Sequence, residues 1–148
     1  MPFDLMRMME LRRHGFRCSQ IILALGLEAQ GKENPDVVRT MTGLSGGIGF
    51  SGNVCGCLTA GVCLLGLYAG KGAPEEKEHE NFSAMVDELL AWFKTEVTET
   101  YGGINCIDII GEDLATRTPN PKCAQLIADT YQKVEEILSE NDIDITGE

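Results

Sequence analysis

Gly43-Leu44-Ser45-Gly46-Gly47-Ile48-Gly49-Phe50-Ser51-Gly52-Asn53-Val54-Cys55-Gly56-Cys57 runs directly into Leu58-Thr59-Ala60-Gly61-Val62-Cys63. A glycine-rich loop thus feeds an apolar helix that carries thiols at its start. Glycine admits positive φ and close backbone approach, so successive N–H groups can converge on one point. Asn53 is the expected N-cap, with Cys55 in the first turn and Cys57 just behind it. Unpaired N–H groups and the helix dipole favour an anion there, which draws a thiol towards thiolate. Gly47, Gly49, Gly52 and Gly56 are the residues expected to cradle a cofactor.

Outward from this stretch the chain reads as helix after helix. Apolar spacing predicts helices over 2–14, 16–31 and 34–43, then over 54–70 after the glycine loop. Lys71 to Glu80 reads as a solvated connector. Asn81 to Tyr101 has the cleanest stripe, with Phe82, Met85, Val86, Leu89, Phe93 and Val97 on one face. Gly102-Gly103 stops it, and Asn105 caps a short helix through Cys106 to Gly111. After a Thr- and Pro-rich loop, Asn120-Pro121 opens the last helix, whose buried face carries Cys123, Leu126, Ile127, Tyr131, Val134 and Leu138. No alternating strand and no internal repeat interrupts the series. The expectation is an all-α fold: one compact helical domain of six to seven helices over 1–140, followed by a frayed acidic tail over 141–148.

Composition bounds the function. A chain of 148 residues with 43% hydrophobic residues and a mean hydropathy of −0.06 buries a real core. Its net charge of −11 argues against nucleic acid and against an anionic membrane surface. Arg12-Arg13 before the apolar run at 21–27 imitates an export signal, but Asp4 and Glu10 sit in the would-be positive region. The segment 54–70 is near the lower length limit for a span and rich in small residues, so it reads as a buried core helix. A cytoplasmic protein without membrane insertion is expected.

Six cysteines in such a chain point to metal or redox chemistry in a reducing compartment, or to disulfides in an oxidising one. Cys18, Cys55, Cys106 and Cys123 each fall near a helix start, and converging N-termini would make a positive pocket for thiolates. Cys63, mid-helix in an apolar run, reads as plain core. Cys57 is intermediate, since on a regular helix it and Cys55 point to different faces. No C-x-x-C and no paired histidines appear, so zinc ribbon, zinc finger and c-type haem attachment are not indicated. His14 and His79 are isolated. Gly47-x-Gly49-x-x-Gly52 matches the dinucleotide fingerprint literally, without the strand–helix–strand unit that gives it meaning.

These motifs resemble the redox-active protein family named for its C-GCAxxG-C-C cysteine pattern. Gly15-Phe16-Arg17-Cys18-Ser19-Gln20 is similar to the first cysteine region. Gly46-Gly47-Ile48-Gly49 with Gly52-Asn53-Val54-Cys55-Gly56 is similar to the central motif, and Asn105-Cys106 and Cys123 to the third and fourth cysteines. The central motif departs from the family pattern: Cys57 stands where an alanine is usual in one alignment, and Gly56-Cys57 with Gly61 is the alternative alignment. Either Cys55 or Cys57 can therefore be the functional thiol, with Cys55 favoured by its distance from the loop. The resemblance implies redox activity; related domains joined to cytochromes with an iron–sulfur centre make a cluster plausible. The leading expectation is an iron–sulfur cluster or other thiophilic metal on Cys18, Cys55, Cys57, Cys106 and Cys123, serving electron transfer or redox sensing with a redox partner protein. The alternatives are a thiol–disulfide oxidoreductase with Cys55 as nucleophile and a helical interaction module with inert cysteines. A homodimer is the assembly expected.

Overall fold

Short polar side chains followed by helix formers set where the helices begin. The computed structural model of the chain describes residues 3–147; Pro2, the expected start of the first helix, and Glu148 lie outside them. Asp4 accepts a hydrogen bond from the Arg7 N–H and starts α1, Leu5–Arg13. Asn34, with Pro35 behind it, starts α3, Pro35–Thr40, in the same way. Asn105 and Asp108 form a capping box on α6, Cys106–Ile110. Asn120 and Pro121 open α8, Pro121–Glu140. Between them lie α2, Cys18–Ala29; α4, Gly56–Ala69; α5, Phe82–Tyr101; and α7, Asp113–Thr116. The all-α expectation holds: among the described residues there is no strand, only an isolated antiparallel bridge between Val54 and Asn105. Helix α7 was not expected, because its four residues are too few to show a period.

Helix α4 is the centre, packed against α2, α5 and α8. Its small residues permit this. A Cβ on Gly61 would stand 3.0 Å from Thr130 of α8 and 3.1 Å from Leu89 of α5, so glycine there lets two helices close on the third. Met85, Leu89, Phe93 and Val97 of the α5 stripe are buried, as are Leu126, Ile127, Tyr131, Val134 and Leu138 of α8. No helix among the described residues is long and apolar enough to cross a membrane.

Two expectations fail here for tertiary reasons. Cys63 is exposed rather than core: three helices cover α4, and the fourth side of an apolar helix faces outward. The segment after α8 is acidic but folds back instead of fraying. Ile145 is 4% exposed, and the Tyr68 hydroxyl donates to the carbonyl of Ile145 as well as lying 3.1 Å from that of Gly26. One buried isoleucine and one hydroxyl anchor the turn that local charge would have left loose.

Candidate functional site

The loop between α3 and α4 shapes the site. From Gly46 to Phe50 five consecutive residues hold positive φ, from 62° to 71°, a left-handed turn that glycine makes accessible. Ile48 and Phe50 adopt it too, and a β-branched residue there is an outlier that its surroundings must enforce. Gly47 is required by close approach: a Cβ would overlap the Asn53 backbone. The turn closes on itself. The Gly49 N–H donates to the Gly43 carbonyl (2.8 Å), that of Gly52 to Gly46 (3.0 Å) and that of Asn53 to Gly47 (3.0 Å).

That closure corrects the cradle expectation. The amides of Gly49 and Gly52 are spent on the loop's own carbonyls. Of Gly47, Gly49, Gly52 and Gly56, only Gly56 lines the cavity described below. A Cβ on Gly56 would stand 2.9 Å from Cys18 Sγ, so its role is to admit a sulfur. Asn53 does not cap α4 either. Its carbonyl accepts from the Cys106 N–H (2.6 Å), the Cys55 N–H donates to Ile104 (3.0 Å), and Cys55 itself is the N-cap, with non-helical backbone at ψ 133°.

These contacts tie the loop to the start of α6 and gather the thiols. One cavity of about 210 Å³ is lined by Cys18, Cys55, Cys57, Cys106 and Cys123. Cys18 is the first residue of α2, Cys55 caps α4, Cys106 is the first residue of α6, and Cys123 lies in the first turn of α8. Cys57 joins because Cys55 precedes the regular helix, so the 3.6-residue geometry that would separate the two does not apply. Ile109, Ile110, Leu126 and Ile127 make the apolar wall, Arg12, Arg17 and Arg117 the cationic part, and no Asp, Glu or His belongs to the lining. None of the six thiols is in a disulfide.

The thiols differ electrostatically. The Cys57 thiol, hydrogen-bonded to Cys18, holds the Cys18 thiol below its ordinary range, aided by the Ser19 amide, the Ser45 hydroxyl and Arg12. Cys57 goes the other way, held high by its contacts with Cys18 and Cys55 and by complete burial. Burial pushes Cys106 up to about 11 and Cys123 up to about 12. A buried pair steadies this corner: the Ser19 hydroxyl lies 2.7 Å from that of Ser45 and 2.8 Å from the Met41 carbonyl. Among the described residues, no three Cys, His, Asp or Glu side chains are placed to share a single metal ion.

The cation–π stack at this cavity was not visible in sequence. Phe50 carries two guanidiniums, Arg17 at 4.6 Å and Arg117 at 4.3 Å from the ring centroid. Its members are distant in the chain and carry no shared motif.

A model of the family described as "Putative redox-active protein (C_GCAxxG_C_C)" matches residues 16–137, a span that takes in all the cavity-lining thiols. No curated protein and no solved structure matches.

Proposed function

We propose, because the chain belongs to the C_GCAxxG_C_C family, that its thiol cavity holds an iron–sulfur cluster and that the protein transfers or senses electrons through it. The observation that carries this reading is the donor set: five thiols from four separate segments around one cavity of about 210 Å³, with neither carboxylate nor imidazole on the lining. Thiolates are the ordinary ligands of iron–sulfur clusters. Thiols from four segments around one volume suit a polynuclear group. Bound there, such a group supplies one-electron transfer between two valence states.

Cys18, Cys55, Cys106 and Cys123 would hold it, with Cys57 as fifth thiol beside Cys18 and Cys55. The chain's own residues supply the rest. Ile109, Ile110, Leu126 and Ile127 exclude water, which strengthens every local electrostatic interaction. Arg12 offsets negative charge gathered on the sulfurs, and the Ser45 hydroxyl and Ser19 amide donate towards Cys18. Such hydrogen bonds to ligand sulfur set the potential of thiolate-held groups.

Protein prepared anaerobically with iron and sulfide should be coloured. Cys106→Ser or Cys123→Ser should bleach it, because a hydroxyl is a poor soft-metal ligand. Cys63→Ser should keep the colour, since that side chain lies away from the cavity.

The hydrogen-bonded Cys18–Cys57 pair favours one second reading, thiol–disulfide exchange, with Cys18 rather than Cys55 as attacking thiolate. Cys18 would break a substrate disulfide and form a mixed disulfide. Cys57 would then displace the second substrate thiol, giving up its proton to it, so the substrate gains two electrons and the pair loses two. Colourless protein that forms a reversible Cys18–Cys57 disulfide would decide for this reading against the cluster.

A further inference from the structure

The arginines at the cavity have no carboxylate to answer them. Among the described residues Arg12, Arg17 and Arg117 form no ion pair, whereas Arg7 and Arg39 do. The nearby carboxylates are engaged elsewhere: Asp108 accepts the Asn105 amide and Asp113 the Asn120 side chain. Arg17 comes from the turn before α2 and Arg117 from the turn after α7. Both stack on Phe50, which the left-handed loop carries at φ 62°. Stacking fixes each guanidinium plane and leaves its N–H edge for a partner.

Exposed apolar side chains come from the segments that carry or adjoin this stack. Phe16, beside Arg17, is 36% exposed; Ile48, in the strained loop at φ 71°, is 50% exposed; Ile107, next to Cys106, is 49% exposed. The Ile107 N–H donates to the Gly52 carbonyl at 3.3 Å, so the loop and the start of α6 present their isoleucines from one joined unit. A β-branched residue held at positive φ with its side chain in water gives the core nothing. Its exposed side chain adds an apolar contact point on the loop that carries Phe50.

We infer that this face, built of Phe16, Arg17, Ile48, Phe50, Ile107 and Arg117, is the docking surface for an electron-carrier protein that presents carboxylates around an apolar spot. The inference rests on the electron-transfer reading above for the partner's role and on charge complementarity for its chemistry. Arginine and aromatic groups over a desolvated centre are the usual anchors of protein interfaces. The chain's charge of −11 does not forbid an acidic partner, because charges beyond a Debye length of about 8 Å are largely screened at physiological salt. It favours approach at this face, where Arg17 and Arg117 stand without a carboxylate partner among the described residues. A symmetric pair of this chain meeting on this face would bring no carboxylate to the arginines, and a small free anion would have no use for the isoleucines.

An acidic plant-type ferredoxin is a suitable probe, titrated into the isotopically labelled full chain and followed by amide NMR shifts. The expected shifts are confined to residues 16–17, 46–53, 106–107 and 117, and fade between 20 and 300 mM salt, on the order of a Debye-length change from 20 to 6 Å. Arg17→Glu with Arg117→Glu should weaken binding at least about tenfold while the remaining spectrum stays folded, and Ile48→Ser should weaken it at unchanged salt dependence. Shifts elsewhere, a preference of this face for basic cytochrome c, or an unchanged affinity in the double variant would overturn the inference. So would the same shifts from phosphate alone, or from raising the chain's own concentration. Binding is read without electron transfer, so the surface stands or falls here separately from the colour test of the cluster.

Discussion

At the scale of single residues, the cavity turns chemically similar thiols into different ones. Cys18 is held low mainly by Cys57, while Cys63, exposed on α4, is raised by partial burial. In reduced, metal-free protein the pH midpoint for alkylation of Cys18 should lie below the ordinary thiol value of about 8.5, and that of Cys63 above it. Comparing midpoints removes the effect of Cys63's easier access, which rates alone would confuse. Cys57→Ala should raise the Cys18 midpoint, because the principal donor is gone. Coincident midpoints in the wild type would show that the hydrogen bond does not act. The sequence named Cys55 as the thiol to watch from its place at a helix start. Which sulfur receives a proton from its neighbour depends on contacts between α2 and α4, about which the order of residues is silent.

At the scale of elements, the glycine loop decides where Cys55 and Cys106 stand. Gly47 and Gly49 both hold positive φ, but only Gly47 is pressed against backbone. An L side chain in the left-handed region costs roughly 1–2 kcal/mol. Gly49→Ala should therefore lower stability by about 1 kcal/mol, measured by denaturant midpoint. Gly47→Ala should cost more than about 2 kcal/mol and also impair colour development, because the Asn53 backbone that it strikes bonds the Cys106 amide. Equal costs would mean that the loop yields without moving the thiols. The helix starts were legible beforehand because capping is local: Asn34-Pro35, Asn105 and Asn120-Pro121 act within three residues. The direction of the loop amides was not, since a left-handed turn spends them internally.

At the scale of the whole molecule, stability and the thiol site are coupled through pH. Cys106 and Cys123 are raised in the folded protein, to about 11 and about 12. Their contribution is fully present below the unfolded thiol pKa and is lost as pH rises through the folded values, because the unfolded chain releases those protons first. Metal-free reduced protein should lose stability from about pH 8.5 upward, as the unfolded chain releases protons that Cys106 and Cys123 retain in the folded one. Cys106→Ser should flatten that part of the profile, read as thermal midpoint against pH. A wild-type profile rising over pH 8.5 to 11 would contradict the assignment.

The sequence by itself determined the longer helices, the caps at Asn34, Asn105 and Asn120, and the placing of four cysteines at helix starts, because periodicity and capping act over one or two turns. It also determined the central role of α4, whose run of small and apolar residues has no other home. Only the tertiary structure decided that Cys57 joins the cavity, that Cys63 leaves the core, that the acidic tail is anchored by Ile145, and that Arg17 and Arg117 meet on Phe50. Each of these depends on which surfaces of separate segments are brought together, and packing between distant segments is fixed by complementarity in three dimensions. Local order along the chain carries no record of it.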